Sequence, residues 1–182
     1  MRIIGGEYRS RPLKAPRGMT TRPTLDQVRE ALFNILQGEI EGISMLDLYG
    51  GSGAVALEAL SRGASRAVIC DQSRDALAVI RENIRSLGCS DRAVVLSGRD
   101  EQLVSRLSAA GESFDLIYLD PPYEMDPTKL IRTMASSGLV RPGGRVIREH
   151  AASSLPEEVP GLVLLSTRKY RDTCLTFYRR EG

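Results

Sequence analysis

The sequence predicts an α/β domain with a mostly parallel sheet, helices on both faces, and a short basic segment in front. Three observations predict it. From Ser44 onward, short apolar runs of strand length alternate with segments of helical period, the pattern of a parallel sheet covered on both faces. The first run leads into a glycine-rich turn that opens a helix. Acidic residues, Asp47, Asp71 and Asp120, close three of the runs.

The elements follow in order. Residues 2–18 read as a short extended or hairpin segment punctuated by Gly5-Gly6, Pro12 and Pro16. Arg22-Pro23-Thr24 leads into a helix, with Thr24 and Gln27 as a capping box. Leu25, Val28, Leu32, Ile35 and Leu36 form its apolar stripe, and Gly38 fits a stop. Residues 45–49 are a strand entering the glycine-rich turn, and 54–60 a helix ending near Gly63. A strand at 67–70 ends at Asp71. Ser73 caps a helix running to Leu87, stopped by Gly88. A strand at 93–96 precedes a helix from Asp100 to about residue 110. Residues 114–119 are a strand and 128–136 a helix. Pro142-Gly143-Gly144 turns into a strand at 145–147. Strands at 162–167 and 173–178 share a tight turn, and this closing pair is expected to be antiparallel.

Hydrophobic residues make up 42% of the chain, enough for a core. No apolar run approaches the roughly 20 residues of a membrane span, and Met-Arg-Ile-Ile-Gly-Gly lacks the apolar stretch of a signal peptide. Cys70, Cys89 and Cys174 are too widely spaced for a zinc site or a disulfide framework, so no metal and a cytoplasmic location are expected. Net charge is +2 but uneven. Residues 1–22 hold Arg2, Arg9, Arg11, Lys14, Arg17 and Arg22 against Glu7. Residues 168–182 hold Arg168, Lys169, Arg171, Arg179 and Arg180 against Asp172 and Glu181. Basic ends around an acidic middle point to a polyanion partner, with a merely solvated surface as the alternative. The expected division is 1–22, a basic appendage for that polyanion carrying Arg9, Arg11, Lys14 and Arg22, and 23–182, the α/β domain.

Asp120-Pro121-Pro122-Tyr123 follows the strand at 114–119. Consecutive prolines have fixed φ and no N–H, which holds nearby carbonyls away from helix or ladder. A carboxylate beside such a carbonyl is a pair of acceptors, suited to an exocyclic amine with its two N–H donors. Tyr123 offers a face on which a base can stack. The alternative is an ordinary Pro-Pro turn with Tyr123 as packing.

Gly50, Gly51 and Gly53 allow a ligand to approach the backbone at a helix N-terminus. Asp71 stands where nucleotide-binding α/β folds place a ribose-binding acid; it also suits a helix-capping role. Asp47, just before the turn, favours a cationic ligand such as S-adenosylmethionine over a pyrophosphate cofactor. Asp100 borders the same crevice or simply starts its helix. His150, the sole histidine, is assigned to structure rather than catalysis.

Taken together, the basic N-terminal segment, Arg22-Pro23-Thr24 with Arg29-Glu30-Ala31, Leu46-Asp47-Leu48-Tyr49-Gly50-Gly51-Ser52-Gly53 and Asp120-Pro121-Pro122-Tyr123 resemble the RsmD-type methyltransferases. The resemblance spans nearly the whole chain. It implies a Rossmann-like S-adenosylmethionine-dependent methyltransferase fold, a seven-stranded sheet with its last strand antiparallel. It implies methylation of a guanine N2 amine in 16S ribosomal RNA, free or in an assembled small-subunit particle; the sequence leaves the oligomeric state open, with a monomer as the expectation. It further implies S-adenosylmethionine over the glycine-rich turn (Asp47, Gly50, Gly51, Gly53), Asp71 on its ribose, a contact near Asp100 to its adenine, and Asp120, Pro121, Pro122 and Tyr123 on the target base. Two departures are Tyr49-Gly50 for the usual Phe-Ala, and Arg171 where the family often has glycine. Rival readings are an adenine-N6 methyltransferase, a nicotinamide-dependent oxidoreductase using the Gly51-x-Gly53 turn, and a catalytically silent RNA-binding protein.

Overall fold

The computed structural model describes residues 1–19 and 23–182, with backbone only for Pro23 and Thr24. Its seven strands, numbered in chain order, form one mixed sheet in the order β3-β2-β1-β4-β5-β7-β6. This is the seven-stranded arrangement the resemblance implies. Two compact units divide the chain, Met1–Gly98 and Arg99–Gly182.

In the first unit the helices are α1 (Pro23–Ile35), α2 (Ala54–Ser61) and α3 (Arg74–Leu87), and the strands are β1 (Ser44–Asp47), β2 (Arg66–Asp71) and β3 (Ala93–Ser97). β2 runs parallel to both neighbours, pairing Asp47 with Ile69 and Asp71 with Ser97. β1 is buried from end to end, its polar ends Ser44 and Asp47 included. Ser73 caps α3 by accepting from the Ala76 N–H, and Gly88 closes it in the left-handed region at φ 72°, as the sequence predicts.

At α1 the expectation needs correction. The helix starts at Pro23, which suits its first turn, so Thr24 lies inside it; the proposed Thr24 cap rests on a side chain outside the described residues. Leu25 is exposed, whereas Phe33, absent from the predicted stripe, is 1% exposed. The rest of the predicted stripe holds: Val28, Leu32 and Leu36 are buried and Ile35 is half-buried, with Phe33 added to them.

The second unit holds α4 (Asp100–Ala109), β4 (Phe114–Leu119), α5 (Thr128–Ser136), β5 (Val140–Ala151), β6 (Leu162–Tyr170) and β7 (Thr173–Arg180). β4 and β5 are parallel, while β7 is antiparallel to both β5 and β6. β5 starts earlier than predicted because Pro142-Gly143-Gly144 is a bulge inside the strand. Phe114 pairs with Val140 but Leu116 with Arg145, so the extra residues loop out between two registers. A Cβ on Gly144 would stand 2.8 Å from the Arg141 carbonyl oxygen, so this crossing needs glycine. The β6–β7 turn keeps its geometry without the family glycine, since Arg171 itself adopts φ 55°.

Candidate active site

In the first unit the glycine-rich turn is built around Asp71. One carboxylate oxygen accepts from the Gly51 N–H at 2.9 Å and the other from the Ser73 N–H at 2.8 Å. Asp71 thus ties the turn after β1 to the start of α3. The Gly50 N–H donates to the Cys70 carbonyl at 2.7 Å, and the Gly53 N–H to the Gly50 carbonyl at 2.8 Å. Each glycine has its own reason. A Cβ on Gly50 would lie 2.6 Å from Ile69 Cγ2 and 3.1 Å from the Cys70 carbonyl. Gly51 and Gly53 sit at φ 60° and 82°, where other residues are strained. Asp47, at the end of β1, is 1% exposed. The structure therefore brings Asp47, Gly50, Gly51, Gly53 and Asp71 together at the ends of β1 and β2. Asp100 falls in the second unit as the first residue of α4, where one of its oxygens accepts from the Glu101 N–H at 2.7 Å.

The basic N-terminal segment is packed onto α2 and α3. Ile3, Tyr8 and Leu13 are buried. Glu58 of α2 is fully buried and accepts from the N–H groups of Ile4 and Gly5, both at 2.9 Å, and from Arg62 Nε at 3.0 Å. Ser61 accepts from the Tyr8 N–H at 2.9 Å and donates to the Gly5 carbonyl at 2.6 Å. Asn83 of α3 holds Lys14 at both ends of its backbone, accepting from its N–H at 2.9 Å and donating to its carbonyl at 3.0 Å. The same Asn83 amide donates to the Ser52 carbonyl in the glycine-rich turn at 2.9 Å.

Of the cationic set, Lys14 pairs with Glu82 and Arg11 donates to the Ser86 carbonyl, both on α3. Arg9 is exposed. Arg22 lies outside the described residues. Sequence reasoning missed Glu58 and Asn83. An acid inside the otherwise apolar run Ala-Val-Ala-Leu-Glu-Ala-Leu is a readable signal for the first; nothing local marks the second.

In the second unit Asp120 leaves β4 exposed, Pro121 is buried, and the Pro122 carbonyl accepts from the Met125 N–H at 3.0 Å, closing a turn. Tyr123 is 67% exposed, so it is not core packing. Behind this turn lies a cavity of about 270 Å³ lined by Tyr123, Asp126, Arg148, Leu155 and others. Hydrogen bonds from Thr128, through its hydroxyl and its N–H, hold the Asp126 carboxyl below its ordinary range.

His150 serves structure, as expected. It is 4% exposed, with Nε2 2.7 Å from Thr176 Oγ1 and Nδ1 3.0 Å from the Ala151 carbonyl. A proton on Nδ1 donated to that carbonyl leaves Nε2 to accept from Thr176. Burial lowers its pKa and favours this neutral form. Glu149, beside it, accepts from the Tyr118 hydroxyl, and burial raises its pKa. Among the described residues, no helix is long and apolar enough to cross a membrane, and no cluster of three or more His, Cys, Asp or Glu could hold a metal ion.

Known proteins are similar to this chain in sequence and in structure. YlbH of Bacillus subtilis is 33% identical over 184 residues, 100% of both chains. Ribosomal RNA small subunit methyltransferase D of Escherichia coli is 38% identical over 123 residues, 68% of this chain and 60% of that protein. Among solved structures, yhhF of Escherichia coli superposes with a TM-score of 0.87 at 31% identity, covering 100% of this chain and 98% of that one. The family described as conserved hypothetical protein 95 matches residues 1–179. With that match over almost its full length, the chain belongs to this family, the RsmD family.

Proposed function

We propose that this protein transfers a methyl group from S-adenosylmethionine to the N2 amine of a guanine in 16S ribosomal RNA. The observation that carries the reading is Asp120-Pro121-Pro122-Tyr123 at the end of β4, with an exposed carboxylate and an exposed aromatic face. The Escherichia coli relative named as a small-subunit RNA methyltransferase supports the same chemistry.

The glycine-rich turn fits the cofactor. Its backbone is bared at Gly51, where a Cβ would meet nothing closer than 3.8 Å, in the turn that leads into the N-terminus of α2. Asp47, Gly50, Gly51, Gly53 and Asp71 would hold S-adenosylmethionine, with Asp100 toward its adenine. When bound, S-adenosylmethionine supplies an electrophilic methyl group. The chain's own residues act on the nucleophile. A guanine N2 is a weak nucleophile because its lone pair is delocalised into the ring. Asp120 and the Pro121 carbonyl accept hydrogen bonds from its two N–H groups and orient the lone pair, Pro122 fixes the turn, and the single proton that the methylated amine sheds passes to Asp120 or to water. Tyr123 holds the base plane by stacking. Positioning and electrostatics supply most of the acceleration. The target base leaves any stack to reach them, at a cost of a few kcal/mol.

The segment 1–22, with Arg9, Arg11, Lys14 and Arg22, supplies phosphate contacts, and 23–182 the catalytic domain. The protein acts as a cytoplasmic monomer on the RNA or on an assembled particle. The test is methylation of small-subunit RNA with labelled S-adenosylmethionine, followed by mass mapping of the product. Asp120→Ala is expected to keep cofactor binding and to lose at least about 100-fold in turnover. Near-normal single-turnover rates for that variant, or label on adenine, overturn the assignment.

A further inference from the structure

Arg148 has no role in the site described so far, yet its placement is unusual. It lies on β5 directly beside Leu119, the residue before Asp120. Its side chain is 6% exposed, and its Nε has no hydrogen-bond partner among the described residues. Burying a guanidinium nitrogen unpaired is costly and calls for an explanation. Arg148 faces the cavity of about 270 Å³ behind the Asp120–Tyr123 turn. That is slightly smaller than the roughly 300 Å³ lower bound for drug-sized ligand pockets, so it suits one flat ring.

Two further features of the lining narrow the ligand. Tyr123 and Leu155, 67% and 84% exposed, leave apolar surface at the rim for a planar group to cover. The remaining charged lining is acidic: Glu124, Asp126 and Glu157. Three carboxylates around a single arginine repel a phosphate. They suit a neutral ring that shows acceptors on one edge and donors on another. Guanine is the base with two adjacent acceptors, O6 and N7, on one edge and N–H donors opposite, and a guanidinium fork matches O6 and N7 in a bidentate pair.

We infer that Arg148 is a specificity-determining residue: it reads O6 and N7 of the guanine whose N2 amine is methylated, seating the ring in the cavity lined by Tyr123 and Leu155. The inference rests on the methyl-transfer reading and extends it. Arg148 would select guanine over 2,6-diaminopurine, which keeps the N2 amine but has an N–H donor in place of O6.

The test uses the full chain and small-subunit RNA carrying guanine, 7-deazaguanine or 2,6-diaminopurine at the modified position. The wild type is expected to favour guanine over either analogue by about 5- to 150-fold in single-turnover rate, the discrimination of one bidentate contact. Arg148→Met should lose that preference while its affinity for S-adenosylmethionine is unchanged. Arg148→Lys, which keeps charge but not the fork, should retain a fraction of it. If Arg148→Met fails to fold, Arg148→Lys supplies the variant comparison. Equal wild-type rates on all three RNAs overturn this inference and leave methyl transfer standing, as does full discrimination retained by Arg148→Met. No methylation of the guanine RNA overturns both.

Discussion

Replacing Glu58 by alanine tests how the basic segment is held. The carboxylate is fully buried and receives the N–H groups of Ile4 and Gly5 and the Arg62 guanidinium. Two outcomes compete after its removal. Either the segment stays and leaves buried donors and a cation short of a partner, or it peels away and solvates them. Peeling exposes Ile3, Tyr8 and Leu13, each less than 9% exposed. At about 1.5–3 kcal/mol per large apolar side chain, that costs roughly 5–9 kcal/mol. Staying costs about 3–5 kcal/mol, the usual loss when one partner of a buried charged pair is removed. Staying is cheaper, so the segment remains docked and the protein loses about 3–5 kcal/mol. At roughly 2–4 °C per kcal/mol for a chain of this size, the melting temperature falls by about 6–20 °C. Glu58→Gln keeps one acceptor and should fall between wild type and Glu58→Ala. Urea denaturation gives the energy, and amide exchange at Ile4 and Gly5 gives the local effect. A loss below about 1 kcal/mol, with unchanged exchange at both amides, refutes the clamp.

Three further outcomes are expected. Arg171→Gly relieves a side chain at φ 55°; removing about 1–2 kcal/mol of left-handed strain, less about 0.5–1 kcal/mol for glycine's added unfolded freedom, leaves a gain of up to about 1.5 kcal/mol, read by thermal denaturation. Glu149 has a carboxyl raised above its ordinary value of 4.5 by burial, so its folded form holds a proton that the unfolded chain gives up. Wild-type stability therefore falls as pH rises through the window above 4.5 up to the raised pKa. Glu149→Gln removes that fall, a difference visible in urea midpoints between pH 4 and 8, and parallel pH profiles would contradict it. Combined replacement of Arg9, Arg11 and Lys14 by alanine should flatten the salt dependence of RNA binding by up to about 0.7–0.9 per lost phosphate contact. It should leave S-adenosylmethionine affinity unchanged, and binding curves across salt concentrations check both. Because Lys14 and Arg11 also engage α3, Arg9→Ala alone separates RNA contact from docking.

Much of this fold was legible because local signals agree with tertiary ones. Ser73 and Gly88 bracket α3 in sequence and in structure, and the alternation of apolar runs maps onto the parallel strands. In α1 periodicity found Val28, Leu32 and Leu36 but not the limits of the buried face, which leaves out Leu25 and takes in Phe33. The bulge in β5 was legible as glycine and proline but not as part of a strand, since its continuation depends on pairing with β4. The residues of the candidate site that sequence reasoning found are those fixed by backbone demands: glycines at positive φ, prolines, and acids at strand ends. Arg148 and Asn83 escaped because their meaning comes from what lies across from them. Charged residues in β5 are unremarkable as letters and become informative only beside a cavity with no partner for Nε.

The Asn83 side chain has three polar hydrogen-bonding positions committed at once, to Lys14 N–H, Lys14 carbonyl and Ser52 carbonyl. Any ligand that draws the Ser52 turn into a tighter arrangement therefore also biases the backbone at Lys14, and a polyanion settling on the segment around Lys14 biases the turn. Thermodynamic reciprocity requires the two effects to be equal in free energy. Two ligands that never touch would then be coupled through one buried amide, and the size of that coupling would be set at position 83.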